Sequence, residues 1–302
     1  VKVRIGFGIG AAAELFSEQH GLARVVDALE DGGWDSLWFP ERVNSPQLDP
    51  VVAMAYVAGR SRRLKFGPAV QVVPGRNPVL LAKALASLDV VSDGRCLPAL
   101  GLGVAEAAEH QAFGVKRQER AAWFDEAFGL MRRLWSEDSV DHRGPRFSVS
   151  AAEVLPKPVQ NPFEVWMGGA APSELRRTGR LADGWLASLT TPAHVAAGIA
   201  AVSDAAEACG RKIDPEHYGV MIPVADGELP EALVRRVSAR RPDARPHEVV
   251  ACSTAALAEM IDAYLEVGAS KFVVFPVGDP GGSQQWIEKI ETLAEALLHR
   301  QT

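Results

Sequence analysis

The residues of this chain that could do chemistry cluster at the ends of short apolar runs. Gly6-Phe-Gly8-Ile-Gly10-Ala11 follows the opening run and matches G-x-G-x-x-A, the spacing that lets backbone approach a dinucleotide pyrophosphate. Pro40-Glu41-Arg42 closes the run Trp34–Phe39 and sets a carboxylate beside a guanidinium. Glu106, Glu109 and His110 come just after the small-residue segment Gly101-Leu-Gly103-Val104. A carboxylate or imidazole so placed can move a proton, whereas an arginine cannot at neutral pH, because its pKa exceeds about 12. The remaining ends, Ala69-Val70-Gln71, Gly168-Gly169-Ala170, Ser188 and Phe275-Pro276, are mostly small or apolar. There is no DxD, no HExxH and no phosphate-binding GxxxxGK[ST] loop. Such a set suits a large planar ring lying against backbone, with the redox chemistry in the ring rather than in side chains.

A recurring unit of amphipathic helix, glycine and apolar strand positions these groups. It occurs as Val25–Asp31, Gly32-Gly33 and Trp34–Phe39, and again as Leu80–Ser92, Gly94 and Arg95–Leu100. A third copy is Leu175–Ala182, Gly184 and Trp185–Ser188, and a fourth is Leu257–Val267, Gly268 and Lys271–Phe275. Glycine after a helix supplies the left-handed residue that other side chains adopt only at a cost. Continuous apolar runs such as Phe-Val-Val-Phe fit strands buried on both faces. Completing the pattern predicts eight strands, about 3–9, 34–39, 64–72, 95–102, 163–168, 183–188, 217–224 and 271–276, each followed by a helical segment. Ser253-Thr254 predicts an N-cap before Ala255. Eight such units over 302 residues predict a single α/β domain, a (β/α)8 TIM barrel, with chemistry at the carboxyl ends of its strands. Two polar, proline-bearing stretches, about 138–162 and 223–249, exceed the repeat and predict insertions at the rim. Against a dinucleotide fold, Glu41 lies 30 residues beyond Ala11 rather than about 20, and the chain does not split into two mononucleotide halves.

Composition narrows the partners. Hydrophobic residues make up 47% and charged residues 23%, as in an ordinary globular enzyme. The net charge of −6 gives no reason to expect nucleic acid or an anionic membrane as partner, and no apolar run approaches the ~20 residues that span a bilayer. Val1-Lys-Val-Arg-Ile reads as a strand rather than a secretory leader, which predicts a cytoplasmic protein. Cys96, Cys209 and Cys252 lie far apart and the seven histidines show no ligand spacing, so neither a disulfide framework nor a metal site is expected.

Several segments together resemble one family. They are Phe66-Gly-Pro-Ala-Val-Gln-Val-Val-Pro-Gly-Arg-Asn-Pro78, Leu80–Asp89 and Ser92-Asp-Gly-Arg95. Gly101-Leu-Gly103 with Glu106 and Ala112-Phe-Gly114, Arg120 with Phe124-Asp-Glu126, Trp166-Met-Gly-Gly169 and Gly179-Arg-Leu-Ala-Asp-Gly-Trp185 continue in order. The chain resembles the luciferase-like monooxygenase superfamily through about residue 190 and more weakly beyond, and within it the actinobacterial branch of oxidoreductases that use the deazaflavin coenzyme F420. The resemblance implies a non-proline cis peptide at Ala69-Val70, in a bulge backing the ring. It also implies that Gly8, Gln71, Gly101, Gly103 and Val104 lie against the coenzyme. Its phosphate would sit on the amides of Gly168, Gly169 and Ala170 with Ser173 nearby, and Ser188 and Thr190 would add donors. Relatives that oxidise sugar phosphates carry an acid–His pair where this chain has Glu41-Arg42, and a glutamate where it has Val104. That departure argues against a sugar-phosphate substrate and leaves Glu41, Arg42, Glu106 and His110 as the catalytic candidates.

The implied activity is hydride transfer between F420 and a small-molecule substrate. The alternatives are an FMN-dependent monooxygenase using O2, and a non-catalytic flavin-binding relative. A separate flavin or F420 reductase would supply reduced cofactor, and a homodimer is expected because relatives are often dimers. Plainer readings stand beside these. Glu41-Arg42 reads equally as a rim ion pair. Arg76 reads either as a clamp on an anionic tail or as a turn residue. Trp34, Trp38, Trp166 and Trp185 read as core packing. Arg176, Arg177 and Arg180 read as a solvated helix face or as phosphate contacts.

Overall fold

The computed structural model describes residues 2–302. The chain begins with β1 (Arg4–Gly8), α1 (Ala13–Ser17), α2 (Gly21–Asp31), β2 (Ser36–Phe39) and α3 (Pro50–Arg60). It continues through β3 (Lys65–Val72), α4 (Pro78–Val91), β4 (Ala99–Gly101), α5 (Ala107–Ala112) and α6 (Arg120–Ser136). Next come β5 (Val140–Arg143), β6 (Ser148–Ala152), β7 (Trp166–Gly168), α7 (Pro172–Leu181), β8 (Gly184–Ser188) and α8 (Pro192–Glu207). The last elements are β9 (Tyr218–Val224), α9 (Glu231–Arg240), α10 (Thr254–Glu266), β10 (Lys271–Pro276) and α11 (Ser283–Leu297). Eight strands close into a parallel barrel in the order β1-β10-β9-β8-β7-β4-β3-β2, and β5 and β6 pair separately as an antiparallel hairpin. The fold is the (β/α)8 barrel that the repeat predicts.

Local sequence accounts for the helix starts. Asp49, Asn77 and Thr191 each precede a proline and accept backbone N–H groups of the first turn. Ser253 accepts from the Ala256 amide at 3.1 Å, the cap expected there. Gly33, Gly94 and Gly268 take φ of 78°, 78° and 98°, as helix-ending glycines should. Gly184 departs from the repeat. It opens β8, and a Cβ there would meet the Trp166 ring at 2.6 Å, so its glycine serves packing. The fourth strand is shorter than expected: Cys96 forms only an isolated bridge with Phe66, and Pro98, which has no N–H, interrupts the ladder before Ala99.

The described residues form two compact units, residues 2–38 with 166–302, and residues 39–165. In the first, Phe7 packs edge-on to Trp34 with ring centroids 5.2 Å apart, and Lys271 pairs with Asp35 at 2.5 Å. Leu233 and Val237 of α9 pack with Leu189, Val249 and Val250 in a small buried cluster of their own. In the second, Trp135 of α6 donates to the Ala82 carbonyl at 3.0 Å and packs edge-on to Phe163. Arg95 ties the end of α3 through the carbonyls of Ala58 and Leu64. The β5–β6 turn hangs on one carboxylate, since Glu126 accepts from the amides of Arg146 and Phe147 at 3.1 and 3.0 Å.

Gly198 of α8 separates propensity from packing. Alanine in a helix interior gains up to about 1 kcal/mol over glycine. Here, however, its Cβ would sit 2.6 Å from Cζ3 of the buried Trp185 ring, and overpacking typically costs about 1–3 kcal/mol. Gly198→Ala is expected to be destabilising on balance, read as a lower urea midpoint with an unchanged m-value.

Candidate functional site

In the unit of residues 39–165, the groups that sequence marks for proton transfer are each engaged by another side chain. Glu41 follows β2 and is buried. Its Oε2 accepts from the Val72 amide at 2.6 Å and from Nε2 of Gln71 at 3.0 Å, and its Oε1 pairs with Arg76. Burial pushes the Glu41 carboxyl above the usual carboxylate range, against the opposing pull of Arg76 and the Val72 amide. Arg42 donates from Nη2 to Glu106 at 2.6 Å and from Nε to Glu109 at 3.2 Å. Glu109 also accepts from the amides of Val43 and Asn44. Burial raises the Glu109 pKa, but these amides and Arg42 outweigh it and hold the carboxyl below its ordinary value. His110 Nε2 contacts Arg120, whose Nη1 also reaches the Val104 carbonyl at 3.0 Å. The same His110 Nε2 lies 3.0 Å from the Val104 carbonyl, so Arg120 and His110 converge on one backbone oxygen.

Strands β3 and β4 carry the expected bulge. The Ala69–Val70 peptide is cis, as the resemblance implies, and the β3–β4 register shifts between Ala69 and Gln71. A Cβ on Gly101 would touch Val70 at 2.5 Å, so this glycine makes room for the bulge itself. Gly103 has φ 76°, and a Cβ there would meet Val72 and Arg120 at 2.9 Å. Gln71 is fully buried; with its amide nitrogen turned to Glu41, its Oε1 has no hydrogen-bond partner.

The other unit holds the phosphate-binding candidates. Gly168 ends β7, and Gly169 has φ 107°, a conformation that favours glycine. Of the amides expected to receive a phosphate, that of Ala170 is engaged: Glu174 Oε2 accepts from it at 3.1 Å and from the next amide, Ala171, at 3.0 Å. Glu174 is the third residue of α7, where a carboxylate reaches back to the helix start, so this anion seat is filled by the chain itself. Ser173 lies beside it in the first turn of α7. Ser188 ends β8, part-exposed. Thr190 is buried, its carbonyl accepting from the Tyr264 hydroxyl and its Oγ1 lacking a partner. Gly8 is buried, and the Phe275 ring occupies the space a Cβ would take. Among the described residues, no group of three or more His, Cys, Asp or Glu could hold a metal ion, and no helix is long and apolar enough to cross a membrane.

A family model for luciferase-like monooxygenase matches residues 5–300. The chain belongs to that family. This luciferase-like protein is 31% identical over 189 residues to an F420-dependent glucose-6-phosphate dehydrogenase from Kineococcus radiotolerans, covering 59% of the chain and 55% of the relative. It is 29% identical over 241 residues to a phthiodiolone/phenolphthiodiolone dimycocerosates ketoreductase from a Mycobacterium species, covering 70% and 62%. The chain therefore spans between half and two thirds of the length of these curated relatives. Among solved structures, it superposes with a TM-score of 0.79 on an F420-dependent secondary alcohol dehydrogenase in complex with an F420-acetone adduct, at 18% identity over 98% of this chain and 99% of that one. An FMN complex of the oxygenating constituent of 3,6-diketocamphane monooxygenase from Pseudomonas putida gives 0.75 at 16% identity, over 99% of each chain. At such identities the likeness is one of fold.

The luciferase-like chain has functional neighbours that residue types alone did not expose. Glu174 carried a usable signal, since an acid three residues after a helix-starting Ala-Pro marks a capping position. The Glu41–Arg76 and Arg120–His110 pairs carried none, because their partners are 35 and 10 residues apart across loops.

Arg76→Met leaves the buried Glu41 carboxylate without its counter-ion and is expected to cost roughly 2–4 kcal/mol near neutral pH, Arg76 being part-exposed. Losing Arg76 raises the folded-state Glu41 pKa further. The deficit is therefore full above the variant's raised pKa, fades as pH falls from there to the wild-type folded value, and is gone below it, where both proteins hold Glu41 protonated. Urea melts at neutral and mildly acidic pH read this directly; a pH-independent deficit would assign Arg76 a packing role only.

Proposed function

We propose that this protein is an oxidoreductase that moves a hydride between coenzyme F420 and a small organic substrate. The observation that carries the reading is the mutual pairing at the strand ends. Glu41, Arg42, Glu106 and His110 are each held by another side chain, and none of these groups can donate or accept a hydride, so a hydride has to be carried by a bound group. The named activities of the Kineococcus dehydrogenase and of the secondary alcohol dehydrogenase support F420 as that group.

Within each unit, the residues present fit part of such a coenzyme once neighbouring side chains rearrange. The partnerless Gln71 Oε1 suits a ring N–H, and the partnerless Thr190 Oγ1 suits a phosphate oxygen. Both atoms are buried, so contact with a ligand requires the covering side chains to move aside. At α7, a phosphate would have to displace Glu174 from the Ala170 and Ala171 amides. Bound F420 would supply hydride acceptance and donation; the protein's part is to position it, keep water away and anchor its phosphate. The paired Glu41 and Glu109 carboxylates hold the shape of the 39–165 unit's strand ends rather than shuttle protons.

A second reading, FMN-dependent monooxygenation with a separate reductase, is favoured by the family's name and the FMN-bound structural neighbour. Titration of the purified protein with F420 and with FMN separates the two. F420 is expected to bind with micromolar or tighter affinity and to support turnover without oxygen uptake, whereas binding of FMN alone with O2 consumption would replace the reading. Glu174→Ala is expected to lower stability by about 1 kcal/mol through the lost cap and to tighten F420 binding severalfold. Unchanged affinity would place the phosphate away from α7.

A further inference from the structure

The inner face of five neighbouring strands, β1, β10, β9, β8 and β7, lies within one unit and can be read residue by residue. Alternate residues of a strand share a face. Phe7 contacts Trp34 and Trp286, which puts it on the helix side of β1 and turns Gly6 and Gly8 inward. Trp185 meets Gly198 of α8, so Leu186 and Ser188 face inward on β8. Tyr218 bonds to Ser203 of α8 at 2.9 Å, so Met221 and Pro223 face inward on β9. A Cβ on Gly219 would meet Trp166 at 3.0 Å and Leu186 at 3.2 Å, as a shared inner face requires. On β10 the same face carries Lys271, Val273 and Phe275.

This face changes character along its length. Deep inside, Trp38, Trp166, Leu186 and Val273 are buried, and the Lys271 charge is matched by Asp35. Toward the carboxyl ends, Met221, Pro223, Phe275 and Ser188 are part-exposed. None of the four is charged, and the Ser188 hydroxyl is their one polar side-chain group. Because residue 8 is glycine, the Phe275 ring lies over β1, where any side chain would exclude it. A phosphate or carboxylate brought against this surface would lose water and gain no counter-ion, which is strongly disfavoured.

We propose that this face binds a neutral, largely apolar substrate, an aryl or alkyl ketone or its secondary alcohol, with Phe275 setting its affinity. The apolar body follows from Met221, Pro223 and Phe275. Phe275 favours an aromatic group, since paired rings gain beyond their buried area. On this reading Ser188 meets the substrate's single oxygen function, donating to a carbonyl or accepting from a hydroxyl, in place of the coenzyme phosphate that the resemblance implies for it. That this oxygen sits on the reacting carbon rests on the hydride-transfer reading above; the preference for a neutral apolar body does not.

Isothermal titration of the whole chain without coenzyme tests the proposal, with acetophenone and glucose 6-phosphate as probes. Acetophenone is expected to bind saturably in the low-millimolar range or tighter, and glucose 6-phosphate to give no saturable heat at the same concentrations. Phe275→Ala should weaken acetophenone binding roughly tenfold, while Phe275→Leu, which keeps most of the apolar volume, should retain most of it. Circular dichroism confirms that each variant is folded. Binding of glucose 6-phosphate as tight as that of the ketone, or unaltered ketone affinity in folded Phe275→Ala, would overturn it. Since no coenzyme is present, a failure of F420 to bind would remove the proposed function and leave this result standing.

Discussion

A closed ladder of parallel strands has one consequence from which the rest follows: every strand ends at the same rim. Whatever residues follow the eight strands are collected there, however far apart they lie in the chain. The rim inherits charges as well as small residues. A charge taken out of water must find a partner, because its desolvation costs several kcal/mol. In the 39–165 unit this requirement is met internally. Glu41 takes Arg76, Arg42 takes Glu106 and Glu109, and Arg120 takes His110 and the Val104 carbonyl. Groups that look like an acid–base set in sequence are, in three dimensions, paired across the loops after β2, β3 and β4.

The architecture was legible because it rests on local signals. The helix–glycine–strand repeat, the proline-flanked caps at Asn77 and Thr191, and Ser253 before α10 can each be read within a few residues. Strand ends were less legible where a single residue decided them, as Pro98 does for β4. The site was legible in position but not in state. The Ala69–Val70 cis peptide lies where the resemblance implies, and the glycines end the strands as expected. What fills the space beside each glycine depends on side chains distant in sequence, such as Phe275 at Gly8, or on a rotamer, as with Glu174 at Gly169. No periodicity encodes that.

Those glycines show why a small-residue rim does not by itself imply an empty slot. An absent Cβ creates room for whichever group is nearest, and in a chain packed to ordinary density that group belongs to the protein. At Gly101 the neighbour is Val70 of the bulge, and at Gly103 it is Val72 and Arg120. Each glycine thus shapes the side chain packed beside it. A substitution at Gly169 would confound two effects, strain at φ 107° and collision with Glu174, which makes the carboxylate the more informative residue to alter.

The two units also divide the electrostatics unevenly, and this bears on substrate more than on coenzyme. The inward positions that end β8, β9 and β10 carry no charge, while the paired charges follow β2, β3 and β4. An anionic substrate held by the second group would have to break an existing ion pair to be bound. Breaking the part-exposed Arg76–Glu41 pair costs roughly 2–4 kcal/mol, comparable to the whole standard free energy of a millimolar complex, about 4 kcal/mol. A neutral substrate resting on Phe275, Met221 and Pro223 incurs no such cost, and its apolar area contributes to binding directly. This energetic difference is the argument for the neutral substrate proposed above over an anionic one.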